Sequence, residues 1–219
     1  MSDDLKSKKP PAWPDRGRFL AFLRFLLFFY LAFFPIYFGA GALAAHSGRA
    51  TNLYFSWESD IPLIPWMIWA YFSVFPLFLL PLFHLSPQEI ARLSRQSTLT
   101  ILFAGFFFVL WPMRRGFATS AVDGFYRTVF DLLGSVDTPH NLAPSLHVAF
   151  GALILLACAE RTTPSWARLY FLLFAVLSTS TVLVHQHHVV DVVTGAALAL
   201  LVRRMAPIDR RFWPSLADA

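Results

Sequence analysis

An all-α, polytopic membrane helix bundle is the fold class this sequence predicts, and three observations predict it. Of the 219 residues, 57% are hydrophobic and only 14% charged, against roughly 45–50% and about 25% in an ordinary soluble domain. The mean hydropathy is +0.55. The apolar residues also come in blocks of about 17–25 with almost no charge, the length a helix needs to cross roughly 30 Å of hydrocarbon.

Six spans follow, at about 19–45, 61–84, 97–112, 145–160, 165–184 and 188–204. They make one bundle domain, 19–204, without repeats or low-complexity segments. The opening "MSDDLKSKKPPAWPDRGRF" is basic and Pro-rich, and the apolar run behind it is too long for a signal-peptide core. Residues 1–18 and 205–219 are therefore expected to be cytoplasmic tails.

The formal net charge is +5. In a soluble protein that points to nucleic acid; here the basic residues sit between apolar blocks, where they orient the chain, and no nucleic-acid partner is expected. One side collects Lys6, Lys8, Lys9, Arg16, Arg18, Arg92, Arg95, Arg161, Arg168, Arg203, Arg204, Arg210 and Arg211. The other collects only Arg49, Arg114, Arg115 and Arg127. The richer side is expected to be cytoplasmic. Arg24 can snorkel to that interface. The single cysteine, Cys158, lies in an apolar run, so it forms no intramolecular disulfide and reads as a small packing residue.

The longest connection runs from 113 to 144. Its "FATSAVDGFYRTVFDLLGSV" mixes apolar and polar residues at helical spacing, which suits a helix lying at the membrane interface. A solvated linker would leave Phe117, Phe125, Tyr126, Phe130, Leu132 and Leu133 in water.

This topology brings three polar clusters to one non-cytoplasmic level: "WPMRRG" at 111–116, "NLAPSLHVAF" at 141–150 and "HQHHVVDVVTG" at 185–195. Ionisable groups at membrane depth are costly and mark function by default. His187 and Asp191 are four apart and share a helix face, so the carboxylate can fix one imidazole tautomer and leave the other nitrogen free as base or nucleophile. Ser145 and His147 follow Pro144 at a span's start, where free N–H groups and the helix dipole favour an anion. Arg114 and Arg115 add permanent, fork-shaped donors suited to phosphate. The parts are those of a phosphoryl-transfer site.

"PSLH" at 144–147, followed by "STSTVLVHQHHVVDVVTG" at 178–195, resembles the type 2 phosphatidic acid phosphatase superfamily over roughly residues 100–204. The family's second motif is typically PSGH and its third SRxxxxxHxxxD. Here Leu146 replaces the glycine, Ser180-Thr181 stands for Ser-Arg, and His187 with Asp191 matches HxxxD. The first motif, KxxxxxxRP, is absent, and no lysine follows Lys9. The chain looks more like the PSLH-containing branch that includes inositol-phosphorylceramide synthase-like phosphotransferases. Arg114 and Arg115 lie where the first motif belongs.

The resemblance implies a metal-independent reaction with no cofactor. His187 attacks phosphorus to form a phosphohistidine, Asp191 orients its ring, His147 protonates the leaving oxygen, and Ser145 with the arginines holds the phosphoryl oxygens. Water or an alcohol then resolves the intermediate. The expected function is a membrane lipid phosphatase acting on a phosphate monoester or diphosphate, in a bacterial inner membrane with a periplasm-facing site. The alternatives are a phosphotransferase to an alcohol such as inositol, and a non-enzymatic transporter or scaffold.

Other readings stand beside these. His187 and Asp191 also suit a self-satisfied polar pair, and the three histidines with Asp191 have donor types that suit zinc. His185 and His188 read as structural or substrate-contacting; Arg114 and Arg115 double as interfacial anchors. Arg127 and Asn141 can approach the site from the loop. His46, His84 and His140 sit near span ends, where interfacial roles are the default.

Overall fold

The structure is a computed structural model that describes residues 13–117 and 122–206. Most of both expected tails, with Lys6, Lys8, Lys9, Arg210 and Arg211, lies outside the described residues, as do 118–121 of the long connection. Among the described residues the regular structure is helical: α1 (Arg16–Ser47), α2 (Ile68–Phe72), α3 (Val74–Leu77), α4 (Leu80–His84), α5 (Pro87–Leu110), α6 (Gly124–Val136), α7 (Leu146–Ala159), α8 (Pro164–Leu183) and α9 (Val189–Met205), with short 3₁₀ turns at Ser56–Asp60 and Pro65–Met67. Three of these, α1, α5 and α8, are long and apolar enough to cross a membrane.

The first helix opens where Asp15 accepts a hydrogen bond from the Arg18 N–H and closes at Gly48, whose φ of 63° is the left-handed conformation glycine adopts without cost. Phe22, Phe25 and Phe29 recur at spacings of three and four and are buried, the inward stripe of an amphipathic helix. Farther along, α1 packs on α5, where Ile36 fills the space a Cβ on Gly105 would need.

The apolar block at 61–84 is not one helix. It breaks into the Pro65–Met67 turn, α2, α3 and α4. Pro76 and Pro81 supply no N–H to a helical ladder, and around them the chain tightens into three-residue bonds such as Phe78 N–H to Phe75 C=O and Leu79 N–H to Pro76 C=O. In contrast α5 begins ten residues before the expected 97, at a Ser86–Glu89 capping box with Pro87 in the first turn. Arg92 and Arg95, read as connection, therefore lie on a helix.

At the centre stands α7. It is buried on nearly every side by α3, α4, α5, α8 and α9, which is why its sequence is hydrophobic all round. Leu177 of α8 occupies the space beside Gly151. The far end of α7 is bound by ion pairs: Arg161 with Glu89 of α5, and Arg203 of α9 with Glu160. Arg92 and Gln96 both donate to the Ala206 carbonyl at 3.1 Å. The near end of α7 carries the polar clusters.

Candidate active site

The second and third sequence motifs meet through the backbone. Ser145 N–H donates to the Asp191 carbonyl at 3.0 Å, which fixes the start of α7 against the first turn of α9. Gly195, one turn farther along α9, lies under Ser145, and a Cβ there would collide with the Ser145 carbonyl oxygen. The glycine is required by this close approach.

That junction brings His147 and His187 to a ring-centroid separation of 6.0 Å, with planes inclined at 58°. His147 stacks on the buried Tyr71 at 4.1 Å, and its Nε2 is buried with no hydrogen-bond partner among the described residues. His187 Nδ1 lies 3.3 Å from Asp191 Oδ2. With the proton on Nδ1, that contact leaves the Nε2 lone pair available. The same Oδ2 accepts the His188 N–H at 2.8 Å. The shorter bond is the stronger, so Asp191 first caps α9 and secondarily orients His187. Asp191 Oδ1 is buried without a hydrogen-bond partner among the described residues.

The loop that presents His187 is a helix C-cap. His185 N–H donates to Val182 C=O, while Gln186 and His187 N–H both donate to Thr181 C=O at 3.1 and 3.0 Å. This is a Schellman closure of α8, with His185 at the left-handed position, φ 54°, where glycine is usual. Its Nε2 reaches the Ile61 carbonyl at 3.0 Å, and Phe117 packs edge-on against its ring. Burial, with His188 and Arg115 nearby, holds the His185 imidazole below its ordinary pKa despite the Ile61 bond.

His188 faces the other way. Its Nδ1 is 3.2 Å from Glu58 Oε2, and its Nε2 accepts the Gly116 N–H at 3.0 Å. A ring nitrogen that accepts an N–H carries no proton, so Nδ1 carries it and donates to Glu58. Glu58 is 1% exposed. It also accepts Val189 N–H at 3.0 Å and Phe55 N–H at 2.9 Å.

A cavity of about 830 Å³ adjoins the histidine pair. His147, His187, Gln186, Arg115, Arg127 and Asn141 line its polar part, with Asp123, Asp131 and Asp137. The apolar part is aromatic: Phe29, Phe33, Phe34 and Phe38 with Tyr30 and Tyr37 of α1, and Phe75 and Phe78 opposite. Tyr30, Phe34 and Phe75 are 47%, 51% and 63% exposed while lining it. The cavity therefore opens on the apolar flank of the bundle between α1 and α3.

Of the residues the sequence singled out, His147, His187 and Arg115 reach the cavity, as do Arg127 and Asn141 from the loop, and Asp191 stands behind His187. Arg114 is not part of the cavity wall; its N–H is bound to Thr51 C=O at 2.8 Å. Nor is Ser145, which is wholly buried and whose hydroxyl caps α7 by accepting Val148 N–H at 3.4 Å. Ser180 and Thr181 hydroxyls turn back to Leu177 and Ser178 carbonyls. Sequence reasoning missed Glu58 and Tyr71. The acids Glu58 and Asp60 in the aromatic "LYFSWESDIP" were the available signal for Glu58; nothing local marks Tyr71. His185 and His188 are engaged with Ile61 and Glu58, and among the described residues no group of three or more His, Cys, Asp or Glu side chains is arranged to hold a metal ion.

Comparison with protein-family models, with curated proteins and with solved structures returned no match to this chain.

Proposed function

We propose that this chain is an integral membrane lipid phosphatase that cleaves a phosphate monoester or diphosphate through a phosphohistidine. The observation that carries the reading is the cavity itself. An aromatic trough open to the apolar flank carries two imidazoles and two guanidinium groups on its polar wall, beside Asp123, Asp131 and Asp137, and suits an amphiphile with a phosphate head.

In this reading the head phosphate lies between His147 and His187 with Arg115 neutralising its oxygens. His187 Nε2 attacks phosphorus and the bond from phosphorus to the lipid oxygen breaks. His147, protonated, gives its proton to that departing oxygen. Water then attacks the phosphohistidine, His147 takes its proton, and inorganic phosphate leaves. Asp191 stabilises the positive charge that His187 develops. Preorganised charge supplies most of the acceleration in phosphoryl transfer, and a positioned general acid adds about 10²–10⁴-fold.

The proposed membrane placement has six passes, the 61–84 block serving as a broken second one. The site faces the periplasm of a bacterial inner membrane. Exposed Trp57, Trp66, Trp69 and Trp111 ring the site end, with Trp13 and Trp166 at the other, as interfacial belts do. Helix α6 lies at the interface over the cavity: Phe125, Leu132 and Val136 are exposed while Leu133 is buried.

A phosphotransferase reading is favoured by Asn141, Gln186, Asp123 and Asp131 on the same cavity wall, where a hydroxylated acceptor could replace water. The deciding experiment is to incubate purified protein in lipid nanodiscs with a panel of lipid phosphates, chelator present, with and without polyol acceptors. Release of inorganic phosphate that His187→Ala abolishes supports the hydrolase; a new headgroup supports the transferase. No turnover of any lipid phosphate would sink both.

A further inference from the structure

Arg115, which lines the cavity together with the histidine pair, is held in place indirectly. Among the described residues no side chain hydrogen-bonds Arg115; its position comes from the backbone on either side. Arg114 N–H is bound to Thr51 C=O at 2.8 Å, and Gly116 N–H to His188 Nε2 at 3.0 Å. Upstream, Thr51 N–H donates to Pro112 C=O and Met113 N–H to His140 C=O. One of these anchors is a side chain, and it belongs to the residue next to His187.

We propose that His188 and Glu58 are positioning residues that hold Arg115 against the phosphoryl group, acting through the Gly116 N–H; this rests on the reading of the cavity as a phosphoryl-transfer site. Glu58, buried and satisfied by Phe55 N–H, Val189 N–H and His188, accepts the Nδ1 proton and thereby keeps Nε2 unprotonated. Only that tautomer can accept from Gly116. The ring is held in plane by Tyr54, stacked at 5.2 Å and 26°, and by Phe117, edge-on at 5.3 Å. Gly116 has no room for a side chain, because a Cβ would run into the Tyr54 ring. A single block thus joins the loop before α2, the end of the α5 connection and the first turn of α9. Its consequence is that Arg115 and His187 move together rather than independently.

The test is a double-mutant cycle on purified protein, read as the competitive inhibition constant of inorganic phosphate and as kcat and KM for a lipid phosphate. Arg115→Ala is expected to weaken phosphate inhibition by about tenfold or more, as loss of a charge-assisted contact does. His188→Ala is expected to weaken it comparably, while the double variant is no worse than the weaker single one. His188→Gln, which restores an oxygen able to accept from Gly116, is expected to recover most of the loss. Should His188→Ala fail to fold, His188→Phe keeps a ring between Tyr54 and Phe117 and removes the acceptor. Unchanged phosphate inhibition in the folded His188 variants, or losses that multiply in the double variant, would overturn the positioning role and leave the phosphatase reading standing. A wild-type protein that neither turns over lipid phosphates nor is inhibited by phosphate would overturn both.

Discussion

Ser145 and Asp191 are joined backbone to backbone, N–H to carbonyl at 3.0 Å. Each also caps the helix it begins: Ser145 through its hydroxyl to Val148, Asp191 through Oδ2 to His188. The two helix starts are thereby one rigid unit. The imidazoles beside them, His147 in the first turn of α7 and His187 just before α9, take their separation from it.

Gly195→Ala should break that unit. A methyl group would meet the Ser145 carbonyl, which is backbone and cannot swing aside. Overpacking of this kind costs about 1–3 kcal/mol, and a shift near 1 Å in a reacting group costs about 10²-fold in rate. We expect a lower thermal transition in detergent and a loss of turnover of at least about tenfold. Gly39→Ala, where nothing lies within 4 Å of the new methyl, should leave turnover unchanged and stability equal or slightly raised.

Asp191 separates structure from chemistry. Asp191→Asn keeps an oxygen for the His188 N–H and removes the charge behind His187, so the fold should persist while turnover falls about 10²-fold or more. Asp191→Ala removes the cap as well and should lower stability by a further ~1 kcal/mol. Equal activity in wild type and Asp191→Asn would remove the carboxylate from the mechanism.

The two neighbouring arginines should behave differently. Arg115 lines the cavity and Arg114 does not. Arg115→Ala is expected to raise KM for a lipid phosphate and lower kcat/KM by about tenfold or more, and Arg114→Ala to change either by less than about twofold. Kinetics of the two variants side by side check this; the reverse order would reassign the clamp.

His185 tests the left-handed cap. For a residue with a Cβ this conformation costs roughly 1–2 kcal/mol, and the Ile61 carbonyl bond offsets part of it. His185→Ala, which keeps the cost and loses the bond, should be less stable than His185→Gly, which loses both. The histidine's lowered pKa also sets a sign. The unfolded chain takes up its proton near the ordinary 6.5 while the folded one resists, so this contribution is intact above that pH and is lost as pH falls below it. Thermal transitions of wild type should drop from pH 7 toward pH 5, and less steeply in His185→Gln.

How much of this was legible beforehand varies with distance along the chain. The starts of α7, α8 and α9 fall within about a residue of the expected spans, because a run of apolar residues is a local property that hydropathy reads directly. The start of α5 was missed by ten residues: Arg92 and Arg95 looked like a connection, although Ser86 and Glu89 stood at capping-box spacing. By hydropathy the 61–84 block reads as a continuous span, although Pro76 and Pro81 interrupt it.

By itself the sequence determined an all-helical, membrane-type chain, since apolar block length is a local property; it also set His187 four residues before Asp191, but the two meet with His187 in the loop before α9 and not on the shared helix face that the spacing suggests. Tertiary structure alone decided that Glu58 meets His188, that Tyr71 backs His147, that Arg115 and not Arg114 reaches the cavity, and that Ser145 is consumed as a cap. Those outcomes depend on which backbones approach closely, as Gly195 permits for Ser145 and Gly105 for Ile36. Such approaches are set by side-chain volume packed between distant segments, a quantity no local window of sequence contains.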